Sequence, residues 1–542
     1  MKKEIESINY EKRTIGYVVE DTAKKYGESP FLLFRDQKLS FREVNDNANR
    51  FAHGLLKLGI EKGDKVVIIM PNCPEIIYAW FGIAKIGAVE VPLNTAHRGE
   101  TLKYMINNAE AETIIIAKPF LDRIGFIEDE LEKIKRVVIF FPDPQDRKIE
   151  PPLRFETISF DKLMDNPHGP PKAEVKFSDP LSIIYTSGTT GLSKGAVNCH
   201  NAQILYAQDL IPYLTYTASD IIYSPLPLFH VNAKYFTCLE AMMVGGRYAI
   251  GEGFSATRFW DEIRKYKATA FHFLGGIPSI LYKQPAGEGD ADNPVRIAWG
   301  GPIPAEIYRD FEKRFNLRFN SQYFGMTETG MVVRAPYDDS HFTSCGKHTE
   351  GYDVRLLDEE GNEAPPNEIG EICVRPLRHY SLMSWYYNRP DATLEAMRNY
   401  WFHTGDLAKR DEEGYFYFVD RKKDALRRRG ENISSFEIER AILSHPAVGE
   451  CAVVDVPSEL GGVGEGEVKA VITLKKGASL KPDDLIAYCE PRMAYFMIPR
   501  YLDFKDSLPK TPTERVEKYK LREEGVTNNA WDREKAGYKL KK

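Results

Sequence analysis

The eleven residues Tyr185-Thr186-Ser187-Gly188-Thr189-Thr190-Gly191-Leu192-Ser193-Lys194-Gly195 gather three glycines, five aliphatic hydroxyls and one lysine, directly after the apolar run Leu181-Ser182-Ile183-Ile184. Glycines let backbone amides approach an anion closely, hydroxyls donate hydrogen bonds, and a lysine adds a mobile positive charge. Together they describe a polyphosphate cradle, and so a chain that handles a nucleoside triphosphate. It is not a Walker loop, in which Gly-Lys is followed at once by the Ser or Thr whose hydroxyl reaches magnesium. Here Ser193 precedes Lys194 and Gly195 follows it.

The elements that must position such a loop are legible as changes of hydrophobic period. Phe41 to Leu58 carries apolar residues at helical spacing, Lys65 to Met70 is strand-like, and Ile76 to Ile86 is helical. Val89 to Leu93 is again strand-like, Leu102 to Asn108 helical, and Thr113 to Ala117 a strand. This alternation predicts crossover units and mostly parallel sheets covered by helices. The Pro-rich stretch from Phe141 to Pro180 reads as an irregular surface excursion leading to the glycine-rich loop. Past about Gly346 the texture changes to short strands and tight acidic-Gly turns, as in Asp358-Glu359-Glu360-Gly361 and Asp411-Glu412-Glu413-Gly414. After Arg421 a helix from Ser435 to Ser444 and strands from Glu450 to Val456 and Val468 to Leu474 make a compact α+β module. The expected fold is α/β: a large multi-lobed N-terminal domain over 1–420, with a small β-rich subdomain over about 346–420, and a small C-terminal domain over 421–542.

With 542 residues the chain has room for roughly three or four domain-sized units, or one large body with a satellite. A formal net charge of −6 with acids and bases interspersed argues against a nucleic-acid partner. Seven scattered cysteines, without a C-x-x-C pair, argue against a disulfide framework or a zinc site and fit a reducing cytoplasm. Met1-Lys2-Lys3 is basic, but no apolar core follows, so no signal peptide is expected. The most apolar stretch, Ile76 to Val91, is interrupted by Lys85 and punctuated by Gly87 and Pro92, as a buried helix and strand rather than a membrane span.

The glycine-rich loop resembles that of the adenylate-forming superfamily of acyl-coenzyme A synthetases, luciferases and peptide-synthetase adenylation domains. Other matching segments follow in the family's order: Phe324-Gly325-Met326-Thr327-Glu328-Thr329, His403-Thr404-Gly405-Asp406-Leu407, Asp420-Arg421-Lys422-Lys423-Asp424 with Gly430-Glu431-Asn432-Ile433, and Leu508-Pro509-Lys510-Thr511-Pro512-Thr513. The resemblance implies ATP, magnesium and coenzyme A. Residues Thr186, Ser187, Gly188, Thr189, Thr190, Gly191 and Lys194 would then hold the β- and γ-phosphates. Thr327 would lie near the α-phosphate and Glu328 would be a magnesium ligand, one carboxylate sufficing beside phosphate oxygens and waters. Phe324 would stack on adenine where the family usually has tyrosine. Gly300-Gly301-Pro302 would pass adenine and the acyl carboxylate, Asp406 would take both ribose hydroxyls, and Arg421 would lie near the ribose and α-phosphate.

For the acyl pocket the matching segments offer His230, Val231, Lys234, Phe271, Leu274, Gly276 and Trp299, with Gly300 beside the carboxylate. Lys234, if it faces the pocket, would disfavour a trimethylammonium acid, and Trp299 would shorten a tunnel or stack a cyclic acid. Lys423 falls at the hinge about which the family's small domain swings between two half-reactions; Gly430, with Glu431, would then approach pantetheine.

One motif departs from the family. Its Pro-Lys-Thr-x-x-Gly-Lys ending, whose last lysine serves adenylation, here reads Pro509-Lys510-Thr511-Pro512-Thr513-Glu514-Arg515. Arg515 could bridge carboxylate and phosphate with its planar fork, and Lys518 is a second candidate. The Thr-Glu-Arg-Val-Glu-Lys ending and Asn293-Pro294-Val295-Arg296 resemble the carnitine/crotonobetaine-CoA ligase branch. The expectation is an AMP-forming acyl-coenzyme A ligase that is cytoplasmic and a monomer or homodimer, taking a small or medium acid. The alternatives are an enzyme loading a separate carrier protein and a catalytically impaired nucleotide-binding homologue.

Overall fold

The computed structural model describes residues 13–540 except 144, 150–151, 187–192, 275–276, 302, 304, 338–339, 422–425, 429–430, 434, 458–465, 491, 494–496 and 511–515; at 421, 426–428, 431–433, 437 and 440 it describes the backbone alone. The chain divides into two compact units. One runs to Asp353 and takes up Arg375–Arg398; the other comprises Val354–Val374 and the chain from Asn399 onward.

In the first unit an eight-stranded sheet runs in the order Trp385–Tyr386, Lys194–Cys199, Pro180–Thr186, Val89–Pro92, Lys65–Ile69, Thr113–Ala117, Arg136–Phe140 and Glu156–Ser159. Pro180–Thr186 and the five strands after it are parallel, while the first two strands join antiparallel. Side chains alternate between two cores, as a period of two requires: Val66 and Ile68 enter one hydrophobic cluster, Val67 and Ile69 the other. Burial on both faces explains why these strands read as unbroken β-branched runs. A seven-stranded sheet, parallel up to its closing hairpin, holds Arg318–Asn320, Ile297–Gly301, Ala270–Leu274, Ile221–Ser224, Arg247–Ile250, Pro30–Phe34 and Gln37–Ser40. Helices pack between the strands. Phe41–Lys57 starts at a capping box, with the Glu43 amide donating to Ser40 Oγ (3.1 Å) and the Ser40 amide to Glu43 Oε2 (2.7 Å).

The alternation read from sequence is present, but the excursion from Phe141 to Pro180 is not wholly irregular. Glu156–Ser159 closes the large sheet against Arg136–Phe140, and the short helix Phe160–Met164 brings Phe160 onto Phe51 at 4.8 Å. Four residues with one deeply buried apolar side chain, Ile158, leave too little period to be read in advance.

In the second unit the strands Tyr352–Leu357, Ile369–Pro376, Phe402–Arg410 and Phe416–Arg421 form one sheet, with the expected turns closed by Gly361 N to Asp358 O (3.3 Å) and Gly414 N to Asp411 O (3.1 Å). The last module sets Val448–Pro457, Gly466–Leu474, Tyr501–Phe504 and Trp531–Asp532 in one sheet, and residues of the helices Ser435–Leu443 and Pro482–Cys489 share its apolar core. None of the seven cysteines forms a disulfide, and among the described residues no helix is long and apolar enough to cross a membrane.

Candidate active site

The glycine-rich loop springs from a β-hairpin. Thr186 faces Lys194, and Tyr185 faces Gly195, across the antiparallel ladder of Pro180–Thr186 with Lys194–Cys199. Ser187, Gly188, Thr189, Thr190 and Gly191 lie outside the described residues. Thr327 and Glu328 sit on the turn between the paired strands Tyr323–Met326 and Gly330–Arg334. That turn is tied down from three sides: Asn198 Nδ2 (3.3 Å) and the Tyr206 hydroxyl (3.4 Å) donate to the Thr327 carbonyl, and the Met383 amide (2.7 Å) to the Glu328 carbonyl.

The Glu328 side chain is buried. Its Oε1 accepts from the Tyr386 hydroxyl at 2.9 Å and from Thr186 Oγ1 at 3.3 Å. Burial raises its pKa above the ordinary carboxylate value, against the pull of Tyr386, Thr186 and the Lys194 charge. Lys194 Nζ stands 5.0 Å from the centre of the Tyr386 ring. Thr186, Lys194, Thr327 and Glu328 are therefore brought together, with Tyr386 as a member that the sequence reading missed. Its strand, Trp385–Tyr386, is two residues long and pairs with Val197 and Ala196, so no local period announces it.

In the second unit Asp406, largely buried, lies directly opposite Arg421 in the ladder of Phe402–Arg410 with Phe416–Arg421. The Asp406 amide donates to Thr404 Oγ1 (3.1 Å), and that hydroxyl donates to the Ile372 carbonyl (2.8 Å). Gly405 takes φ +73°, a left-handed turn that suits glycine. Glu371 braces this turn: Oε1 accepts from the Gly405 amide (3.0 Å), and Oε2 lies 3.1 Å from His403 Nδ1. Cys373 Sγ is 3.3 Å from the same nitrogen, so three potential metal donors meet here. Glu371 is already committed to Gly405 and His403, and Cys373 packs with Leu357 and Trp401, so the trio acts as a brace of the turn.

At the acyl end, strand parity sorts the expected residues. Ala270–Leu274 pairs in parallel with Ile297–Gly301, with His272 beside Trp299 and Phe271 beside Ala298. Trp299 is packed by His272 (4.9 Å between ring centres), Tyr323 (4.7 Å) and Phe236 (5.4 Å). Phe271 points to the other face, against Phe259 (5.1 Å) and Trp260 (6.2 Å). Phe271 and Trp299, both offered for the acyl pocket, thus lie on opposite faces of the sheet, and His272 is the neighbour of Trp299 on its own face. Thr237 donates to the Asn232 carbonyl (3.0 Å), so it accepts from His272 Nδ1 (2.9 Å) while Tyr216 donates to Nε2 (2.8 Å). Burial lowers the imidazole pKa to about 3, so it is neutral.

The Lys234 ammonium is buried and paired with the buried Glu90 carboxylate, over the Trp80 ring at 5.0 Å. The charge that the sequence set against a cationic acid is thus countered by a carboxylate beside it. Gly300 earns its residue type: at φ +152° an added Cβ would lie 2.1 Å from the Phe273 carbonyl oxygen. Gly301 abuts Tyr323, Phe324 and Val231 are buried, and Leu274 is half-buried. His230 Nδ1 accepts from the Asn232 amide at 3.3 Å. Gly276 and Pro302 lie outside the described residues.

In the C-terminal module Arg515, Lys423 and Gly430 also lie outside the described residues, and Arg421 and Glu431 are described by backbone alone. The ends of the segment carrying Arg515 are pinned by the Lys510–Val516 bridge and by the Glu517 amide donating to the Pro509 carbonyl (2.8 Å). Lys518 is spent locally, with Nζ 2.6 Å from Ser435 Oγ and 2.8 Å from Glu439 Oε1.

Residues 19–387 match the AMP-binding enzyme family and residues 437–515 the AMP-binding enzyme C-terminal domain. A crotonobetaine/carnitine–CoA ligase of Salmonella arizonae is 31% identical over 515 residues, 93% of this chain and 98% of the relative. That of Citrobacter koseri is 30% identical over 518 residues with the same coverage. Among solved structures, the anthranilate CoA ligase AuaEII with anthranoyl-AMP superposes with a TM-score of 0.85 at 25% identity, covering 96% of this chain and 98% of that one. ATP-bound MatB from Rhodopseudomonas palustris follows at 0.83 and 26%, covering 94% and 98%.

Proposed function

The chain belongs to the AMP-binding enzyme family and is an ATP-dependent, AMP-forming acyl-coenzyme A synthetase, an acid–thiol ligase; from that premise we propose how its residues divide the reaction. The observation that carries the assignment is the buried Glu328 carboxylate, met on Oε1 by Tyr386 and Thr186 with Lys194 alongside. Both hydrogen bonds fall on one oxygen, which leaves Oε2 for a hard divalent cation completed by phosphate oxygens and water, the set magnesium prefers. When bound, magnesium screens the phosphate charge. Thr186 to Lys194 hold the β- and γ-phosphates, Thr327 the α-phosphate, Phe324 and Gly301-Pro302 the adenine, and Asp406 with Arg421 the ribose.

The acid's carboxylate oxygen attacks the α-phosphorus, the bond to the bridging oxygen breaks, and its electron pair leaves with pyrophosphate. Arg515 offsets the repulsion between the two anions as they meet. The module over 421–542 then changes pose about Lys423, bringing Gly430 and Glu431 to pantetheine. The coenzyme A thiol gives its proton to solvent, sulfur bonds to the acyl carbon, and the bond from that carbon to the phosphate oxygen breaks, its electron pair leaving with AMP.

We assign a compact acid, because Trp299 is held by the rings of Phe236, His272 and Tyr323, with His230 and Val231 as further acyl-contact residues. The acceptor is free coenzyme A and the compartment the cytoplasm, in keeping with seven cysteines outside any disulfide. Purified enzyme given coenzyme A and a panel of carboxylic acids should yield AMP and thioester in step; AMP without thioester would favour a carrier-protein acceptor. Glu328→Gln should cut acid-dependent pyrophosphate exchange by at least ~100-fold, and unchanged exchange would remove the magnesium assignment.

A further inference from the structure

We infer that Tyr386 is the positioning residue of the phosphate end, fixing the Glu328 carboxylate through its hydroxyl and Lys194 through its ring; the inference rests on the proposed role of Glu328. The hydroxyl donates to Glu328 Oε1 at 2.9 Å, in a site where the carboxylate is buried. The ring faces Lys194 Nζ at 5.0 Å. One side chain thus touches both an anion and a cation of the site, through different atoms.

The backbone around it is stitched to the strand that carries Lys194. The Ser384 amide donates to the Val197 carbonyl (2.7 Å) and the Tyr387 amide to the Gly195 carbonyl (2.8 Å). The Tyr386 amide itself donates to Thr393 Oγ1 (3.0 Å), whose proton goes to the Arg389 carbonyl (2.9 Å). Met383, on the same segment, donates to the Glu328 carbonyl, so the segment grips both the main chain and the side chain of Glu328. A carboxylate held by one oxygen has its other oxygen aimed, and a charge-assisted hydrogen bond in a dry site is strong enough to choose the rotamer. Burial and the Glu328 charge raise the phenol pKa, so the hydroxyl keeps the proton it donates.

Hydroxyl and ring can be separated. Tyr386→Phe removes the hydrogen bond and keeps the ring; Tyr386→Leu removes both. The measurement is calorimetric binding of a non-hydrolysable α,β-methylene ATP, with magnesium and with chelator, to wild type, both variants and Glu328→Gln. Tyr386→Phe should bind the metal-free analogue as wild type does, while the gain in affinity on adding magnesium falls about ten-fold. Tyr386→Leu should also weaken metal-free binding by about three-fold, as Lys194 loses its ring. If Tyr386→Phe keeps the full magnesium gain while Glu328→Gln loses it, Tyr386 does not position the carboxylate and the inference fails alone. If Glu328→Gln keeps the gain as well, the role of Glu328 fails and takes the inference with it.

Discussion

Arg515 and Lys518 compete for the role that a lysine fills in the family, and of the two only Lys518 lies among the described residues. Lys518 is tied to Ser435 and Glu439, and Glu439 also accepts from the Val453 amide at 2.7 Å, so moving Lys518 would strip a carboxylate set within its own module. Arg515→Ala should therefore slow acyl-adenylate formation by roughly 100- to 1000-fold while sparing thioester formation from pre-made adenylate. Lys518→Ala should instead lower the melting temperature and leave adenylation per folded molecule near wild type. Normal adenylation by Arg515→Ala beside loss in Lys518→Ala would reverse the assignment. A second residue-scale prediction concerns Glu240, which is fully buried and whose oxygens have no hydrogen-bond partner among the described residues. Burial raises its pKa well above the carboxylate range. The native state then holds the proton more tightly than the unfolded chain, so stability is greatest below the unfolded value and falls as pH rises through the window up to the folded value. Glu240→Gln should raise the melting temperature more at about pH 8 than at about pH 5, and an equal shift at both would show that the carboxyl pKa is not raised in the folded chain.

At the scale of elements, parity decides what a strand residue can do. Trp299 and His272 lie on one face and Phe271 on the other, so Trp299→Ala should shift the ratio of kcat/KM toward larger acids. Phe271→Ala should cost about 3–5 kcal/mol of stability and leave the ranking of acids unchanged. A changed ranking in Phe271→Ala would mean that the pocket crosses the sheet. The same parity explains what was legible in advance. Long periodic segments such as Phe41–Lys57 and Thr113–Ala117 were readable because burial imposes the period along the chain. Thr186, Lys194, Thr327 and Glu328 were readable as motifs because their chemistry is concentrated in short runs. Tyr386, His272 and the Glu90 partner of Lys234 were not: each acquires its partner from a strand or helix far away in sequence, and only the sheet register brings them together. The face that Phe271 takes was not legible, because motif position carries no information about which face of a strand a side chain occupies.

At the scale of the whole molecule, the proposed mechanism asks one C-terminal module to serve both half-reactions. Asp420 Oδ2 accepts from the Ser435 amide (2.7 Å), the Ser435 hydroxyl (2.8 Å) and the Phe436 amide (3.3 Å), which caps the helix Ser435–Leu443. A swing about Lys423, between Asp420 and Ser435 in the chain, must release this cap, because the two residues would lie on opposite sides of the pivot. On the proposed mechanism these hydrogen bonds would have to break for the change of pose, through rotation of a few backbone torsions. Proline at the pivot fixes φ near −65° and removes the amide hydrogen, so it blocks a change that depends on that torsion. Lys423→Pro should leave acid-dependent pyrophosphate exchange nearly intact and abolish thioester formation, both overall and from pre-made acyl-adenylate with coenzyme A. Loss of both activities together would make Lys423 a structural residue, and retention of both would move the pivot elsewhere in the chain.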